Sequence, residues 1–250
     1  MTLTGKHAFI TGGGTGIGLA IARDLASRGA VVTITGRRQE VLDEVAGDGI
    51  HGMAMDVRNE EDVVATVAAA VKARGPVQIC IPNAGIAEGK ALHKTDMAFW
   101  RNMMATNLDG AFLTIRECLL SMRQTDWGRV IAVSSMAGLR GLPGAACYSA
   151  SKHGMIGLIR SLSEDYMGQP FTFNTLCPGY VDTEIVSRNT ASIAARANLS
   201  EDAARDVMVN ANRHKRLVTV AEVAAAAAWL YGPDSGSING QNIEIAGGQM

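Results

Sequence analysis

The chain has 250 residues, 47% of them hydrophobic and 19% charged, with a formal net charge of −1. Those figures describe a globular protein with a large buried core, and they leave no basic or acidic block for nucleic acid or an anionic membrane surface. No apolar run approaches the roughly 18 residues of a membrane span, and Met1-Thr2-Leu3-Thr4-Gly5-Lys6 leads into a short apolar strand without a signal-peptide pattern, so a cytoplasmic location is expected.

In chain order, short apolar runs alternate with longer helical patterns. The expected strands are His7–Thr11, Val31–Thr35, Ile50–Met55, Val77–Pro82, Arg129–Ser134, Thr172–Cys177 and Asn242–Ile245. Between them, helices are expected near Gly16–Arg28, Glu40–Ala46, Glu60–Arg74, Met97–Arg123, Ser149–Met167 and Ala221–Tyr231. Several strands are apolar almost throughout, as expected when helices cover both faces of a sheet. The order predicts an α/β fold, a Rossmann-type doubly wound parallel sheet of about seven strands with right-handed crossovers. No repeat or linker interrupts it, so residues 1–250 are read as a single domain. The polar to amphipathic segment 184–216 breaks the alternation and reads as a lid over a substrate, or else as surface helices with a packing role.

Thr11-Gly12-Gly13-Gly14-Thr15-Gly16-Ile17-Gly18 follows the first strand and opens the first helix. Glycines there allow a sharp turn and close approach to a ligand. The helix N-terminus behind them offers free N–H groups and partial positive charge to a diphosphate. The spacing is G-x-x-x-G-x-G, through Gly12, Gly16 and Gly18, and its strand-to-helix context gives it meaning. The second strand ends in Thr35-Gly36-Arg37-Arg38, where a carboxylate would bind a ribose 2′-hydroxyl and a base would accept a 2′-phosphate. Two guanidiniums and no carboxylate favour NADP(H) over NAD(H). Arg37 stacked on adenine, or both arginines simply solvated, is the alternative, and Thr15 adds no second basic anchor.

Tyr148 and Lys152 are spaced i and i+4, on one helical face. A phenol of pKa about 10 is a poor base, and lowering it by about 3 units needs about 4 kcal/mol of preference for the phenolate. A cation about 4 Å away supplies that only at an intermediate effective dielectric, so Lys152 would act in a partly dehydrated cleft. Ser134 and Ser135 end the fifth strand, at the carboxyl edge where parallel sheets bind ligands, and either hydroxyl could steady a substrate oxygen or cap a turn. Cys147 adjoins Tyr148 and is expected to border the substrate. The other cysteines, Cys80, Cys118 and Cys177, lie far apart without C-x-x-C spacing and read with it as buried free thiols. His7, His51, His93, His153 and His214 show no ligand spacing, so no metal is expected.

With these motifs in place, the sequence resembles the classical short-chain dehydrogenase/reductase family from Lys6 to about Gly248, and within it 3-oxoacyl thioester reductases and 3-hydroxyacyl-CoA dehydrogenases. The family's T-G-x-x-x-G-x-G matches Thr11 to Gly18, with Gly14, Thr15 and Ile17 inside it, and its Y-x-x-x-K matches Tyr148 to Lys152. The resemblance implies that Asn83-Ala84-Gly85 shapes the adenine-ribose side and that Asp56-Val57 touches adenine. It implies that Asn107 organises a water-linked proton relay. It selects Ser135, thirteen residues ahead of Tyr148, over Ser134. Pro178, Gly179, Val181 and Thr183 would cradle the nicotinamide. The implied activity is hydride transfer between NAD(P) and a secondary alcohol or ketone, with Tyr148 exchanging a proton with the substrate oxygen and Lys152 lowering the phenol pKa and binding ribose hydroxyls. A homotetramer is implied as well.

The substrate is expected to be a 3-oxoacyl or 3-hydroxyacyl thioester, or else a free ketone, cyclic or aromatic. Ile86, Met136, Leu139, Leu142, Ile185, Val186 and Met208 would wall it, with Arg140, Arg188 and Arg196 placed for an anionic portion. Two other classes are weaker. A serine hydrolase lacks a G-x-S-x-G elbow, and a non-catalytic NADP(H)-sensing protein would be marked by loss of Tyr148 or Lys152, both of which are present.

Overall fold

Alternate residues of the first strand face opposite cores. In β1 (His7–Thr11), Ala8 and Ile10 pack on one side and Phe9 on the other, all fully buried. A computed structural model describes residues 2–186, 190, 194 and 200–249. Its strands are β1, β2 (Val31–Gly36), β3 (Ile50–Ala54), β4 (Val77–Ile81), β5 (Gly128–Val133), β6 (Phe171–Pro178) and β7 (Asn242–Ile245). They form one seven-stranded sheet in the order β3-β2-β1-β4-β5-β6-β7, with every neighbouring pair parallel. The order reverses at β1, between β2 and β4, which opens a crevice at the carboxyl ends of the strands.

The helices are α1 (Gly16–Ser27), α2 (Gln39–Asp43), α3 (Glu60–Arg74), α4 (Met97–Met104), α5 (Gly110–Met122), α6 (Ala146–Asp165), α7 (Glu201–Ala211) and α8 (Val220–Leu230). One face of the sheet packs on α1 and α8 through Ile21, Leu25, Val223 and Leu230; the other packs on α3, α5 and α6 through Val63, Val67, Ile115, Met155 and Ile159. Local chemistry fixes the helix ends. Asn59 caps α3 by accepting from the Glu61 and Asp62 N–H groups, acids fill its first turn, and Lys72 and Arg74 fill its last. Thr219 and Glu222 form a capping box on α8.

One expectation is corrected. The single helix expected over Met97–Arg123 is two helices, joined by a π-helical turn at Ala105–Asp109. The extra residue in that turn re-aims the Asn107 side chain off the regular helical face. Segment 184–216 also contains a regular helix, α7, capped by Ser200 and burying Ala204 and Met208. All four cysteines are free and buried. Among the described residues no helix is long and apolar enough to cross a membrane.

Candidate active site

The glycine loop comes off β1 with positive φ at Gly12 (63°) and at Gly16 (53°), a region that favours glycine. A Cβ on Gly12 would lie 3.0 Å from Ala84 Cα and 3.0 Å from Asn83 Nδ2. Asn83 is what ties this loop to the end of β4. Its Nδ2 donates to the carbonyls of Thr11 (2.9 Å) and Gly12 (3.0 Å), while the Thr11 hydroxyl accepts from the Asn83 and Ala84 N–H groups, each at 3.0 Å. At the start of α1, the Thr15 side chain caps nothing, which leaves first-turn N–H groups for a ligand. Gly14 and Gly18 face inward instead: Gly14 lies against Val41 and Leu42, and a Cβ on Gly18 would fall 2.4 Å from the Gly12 carbonyl.

A cavity of about 1130 Å³ runs from this loop to the ends of β5 and β6. It is lined by Gly12, Thr15, Gly16, Ile17, Asn83, Ala84, Gly85, Ser135, Tyr148, Lys152, Pro178, Gly179, Val181 and Thr183. Ile86, Met136, Arg140, Leu142, Ile185 and Val186 line it too. Leu139 and Met208, expected on its wall, are not among the described lining; Met208 is buried behind it against Val186 and Leu217. Cys147, expected to border the substrate, is likewise buried away from the wall. Arg188 and Arg196 lie outside the described residues. Sequence reasoning did not single out Tyr180, Val207, Ala211 or Arg23, all of which contribute to the lining.

Tyr148 lies in the first turn of α6 and Lys152 one turn on, both facing the end of β5. The Lys152 ammonium lies 5.9 Å from the Tyr148 ring centre and donates to the Val133 carbonyl at 2.8 Å. Ser134 and Ser135 point to different partners. The Ser134 hydroxyl donates to the Lys152 carbonyl (3.2 Å), whereas Ser135 accepts from the Ala137 N–H (3.1 Å) and lines the cavity with Tyr148. Burial pushes the Tyr148 phenol up and the Ser135 hydroxyl pulls it back, while Tyr180 and Cys177 add to the upward push. Burial also brings Lys152 down to about 8, against a small opposing pull from Cys177. Dehydration thus acts on both groups, and the Lys152 ammonium is turned to a backbone carbonyl.

Asn107 is fully buried. Its Oδ1 accepts from the Ile86 N–H (2.8 Å), and its Nδ2 donates to the Ile86 carbonyl (2.9 Å) and to Ser151 Oγ (3.1 Å). The side chain thus clamps one wall of the cavity, which the sequence reading had not assigned to it. Asn212, at the end of α7, does the same on the opposite wall. Its Oδ1 accepts from the Tyr180 N–H (2.9 Å), and its Nδ2 donates to the carbonyls of Tyr180 (2.9 Å) and Arg216 (2.7 Å).

Arg37 and Arg38 are exposed just past β2, and Asp56 and Val57 follow β3; none of the four belongs to the described cavity lining. A hydrogen bond from Arg58 holds the Asp56 carboxyl below its usual range, and the Arg37 charge adds to the effect. Among the described residues no three of His, Cys, Asp and Glu gather as a metal site.

A switch-point crevice, a glycine cradle and a Ser-Tyr-Lys cluster with a half-buried tyrosine define a nucleotide-dependent oxidoreductase of the α/β class. Residues 6–194 match the short chain dehydrogenase family model. The chain is 33% identical to D-beta-hydroxybutyrate dehydrogenase of Rhizobium meliloti (strain 1021), over 97% of this chain and 98% of that one. It is 34% identical to the 3-oxoacyl-acyl-carrier-protein reductase of Vibrio cholerae serotype O1, over 99% and 98%. A crystal structure of an actinorhodin polyketide ketoreductase variant with NADPH superimposes with a TM-score of 0.93 at 32% identity, covering 99% of this chain and 98% of that one. Levodione reductase gives 0.91 at 29% identity, covering 98% of each. The chain belongs to the short-chain dehydrogenase family. It is an oxidoreductase that transfers a hydride between NAD(P) and a secondary alcohol or ketone.

Proposed function

We propose that the chain is an NADP(H)-preferring ketoreductase acting on 3-oxoacyl compounds, in which Tyr148 is the proton donor. The observation that carries this reading is the convergence of Tyr148, Ser135 and Lys152 on one cavity that continues into the glycine loop. The cradle fits a dinucleotide: a Cβ at Gly12 would fill the space beside Asn83 and Ala84, and one at Gly16 would meet Thr183 at 3.3 Å. Thr15, Gly16 and Ile17 would hold the diphosphate, with Gly12, Gly14 and Gly18 allowing the loop its shape. Asn83, Ala84 and Gly85 would hold the adenine-ribose side, Asp56 and Val57 the adenine, and Pro178, Gly179, Val181 and Thr183 the nicotinamide. Bound NADPH supplies the hydride.

The protein supplies the proton and the geometry. The Tyr148 hydroxyl, kept protonated by burial, gives its proton to the ketone oxygen, and Ser135 steadies the negative charge building there. Lys152 holds a cation beside the phenol and would donate to the cofactor's ribose hydroxyls. Asn107 fixes the wall through which the proton is replenished. Arg37 and Arg38, exposed just past β2, would pair with a 2′-phosphate, and the structural relative holds NADPH. The aliphatic wall of Ile86, Met136, Leu142, Ile185 and Val186 suits an acyl chain, and two relatives are named for 3-oxoacyl and hydroxybutyrate substrates. Exposed Met97, Phe112 and Leu120 on α4 and α5 support a homotetramer, and four free cysteines suit a reducing cytoplasm.

The deciding experiment compares wild type with Tyr148→Phe on a ketone panel, with NADPH binding measured on both. Retained binding with turnover lost by at least about a thousandfold supports the reading; equal, non-zero turnover overturns it.

A further inference from the structure

Ser151 lies on α6, in the turn after Tyr148, and is fully buried. Its Oγ donates to the Tyr148 carbonyl at 2.8 Å, a local bond that serines on helices often make. That bond uses its hydrogen and leaves its lone pairs, one of which accepts from Asn107 Nδ2 at 3.1 Å. The orientation of the amide is fixed from the other side, since the Ile86 N–H can point only at the Asn107 oxygen and the Ile86 carbonyl only at its nitrogen. One chain of hydrogen bonds therefore runs from the Ile86 wall, through Asn107 and Ser151, to the backbone of the proton donor. Two close approaches flank it. A Cβ on Gly154, further along α6, would fall 2.8 Å from Leu108 Cδ2, so the helix is packed tightly on the π-helical turn that carries Asn107. A Cβ on Gly85 would lie 3.2 Å from Asn107 Oδ1 and 3.7 Å from Lys152 Nζ, which puts the amide across one glycine from the ammonium.

We propose that Ser151 is a positioning residue that locks Asn107, and through it the Ile86 wall, to the turn of α6 carrying Tyr148, so that cavity wall and proton donor keep one register. The inference rests on the ketoreductase reading and adds a residue to its machinery. Asn107 sits where a π turn interrupts the α-helical ladder, so side-chain bonds to neighbouring elements decide where its amide points. Its Nδ2 carries two hydrogens and has three acceptors in reach: the Ile86 carbonyl (2.9 Å), Ser151 Oγ (3.1 Å) and the Met103 thioether (3.2 Å). Sulfur is a weak acceptor. Without the Ser151 hydroxyl the amide keeps its grip on Ile86 and loses its tie to α6. Wall and donor are then free to shift against each other, and a misplacement of about 1 Å can cost about a hundredfold in rate.

The test measures steady-state reduction of ethyl acetoacetate by the full-length protein, with rates expressed per NADPH-binding site so that unfolded material does not count. Ser151→Ala is expected to lose about tenfold to about a hundredfold in kcat, while KM for the ester and Kd for NADPH each change less than about threefold. Ser151→Cys keeps a weaker donor and acceptor; it is expected to fall between wild type and Ser151→Ala, and it carries the comparison should the alanine variant not fold. A double-mutant cycle separates positioning from packing. Once Asn107→Ala has cut the link, Ser151→Ala should cost less than about twofold further, whereas a packing defect would cost the same in both backgrounds. A kcat for Ser151→Ala within about twofold of wild type, a loss confined to KM or Kd, or an equal loss in the Asn107→Ala background overturns the proposal. Failure of the ketoreductase reading would look different: no NADPH binding at all, or turnover indifferent to Tyr148→Phe.

Discussion

The Asn212 side chain holds Tyr180 by both its N–H and its carbonyl, at 2.9 Å each. This residue lies just beyond the end of β6, where its carbonyl also accepts from the Val218 N–H at 2.9 Å, and a Cβ on the preceding Gly179 would overlap the Asn212 amide. Asn212→Ala would leave the Tyr180 N–H and the Arg216 carbonyl without their Asn212 partner, while the Tyr180 carbonyl keeps the Val218 N–H. The expected cost is about 3 kcal/mol of stability, with KM for the ketone rising more than the Kd for NADPH. Urea unfolding and steady-state kinetics check both; a variant of unchanged stability would show that the clamp is dispensable.

Ser134 and Ser135 are neighbours with different partners, so their alanine variants should separate. Ser135→Ala is expected to lose about a hundredfold in kcat with little loss of stability, as for a lost donor to a developing oxyanion. Ser134→Ala removes the bond to the Lys152 carbonyl and is expected to cost about 1 kcal/mol of stability and less than tenfold in kcat. Rate measurements on the two proteins side by side would expose a reversed order.

Burial brings Lys152 down to about 8, so in the free protein it is charged below that pH and neutral above it. If the charged form assists cofactor binding, NADPH should bind more tightly below pH 8 and progressively more weakly as pH rises through 8. The same shift bears on folding. A lysine harder to protonate in the folded state than in the unfolded one lowers stability below about pH 8, and this deficit is relieved as pH rises from about 8 toward the ordinary lysine value. Fluorescence titration of NADPH between pH 6 and 9.5, on wild type and Lys152→Met, tests the binding side. A flat wild-type profile contradicts it.

Arg37 and Arg38 are exposed just past β2. Replacing both with alanine should weaken NADPH binding by tenfold or more while changing NADH binding less than threefold, because only the former carries the 2′-phosphate. Calorimetric affinities for the two cofactors decide this, and equal losses would mean that neither arginine reads the phosphate.

The sheet was legible because its signal is local. β1, β7 and α3 fall where apolar runs and helical periodicity place them, α3 helped by the Asn59 cap and the acids behind it. Glycine spacing and the Tyr148–Lys152 interval located the cavity for the same reason, since each is a short stretch whose residue types have few other uses. The break in the Met97–Arg123 helix was not legible, because a π turn shifts the register by one residue without demanding any particular side chain there. α7 was obscured by its polar surroundings, although Ser200, Glu201 and Asp202 mark its start and Ala204 and Met208 its buried side. Tyr180 and Asn212 were missed for another reason: they lie 32 residues apart, and only the folded chain shows that one fixes the other.

Asn107 and Asn212 share a design with a consequence for how this protein can change. Ile86 and Tyr180, both lining the cavity, are each gripped by a side-chain amide from outside the loop in which they sit. Loop sequence between such anchor points is free to lengthen, shorten or exchange residues while the two gripped positions stay put. New substrate preferences can therefore arise by drift in the loops, with the proton-transfer chemistry inherited intact.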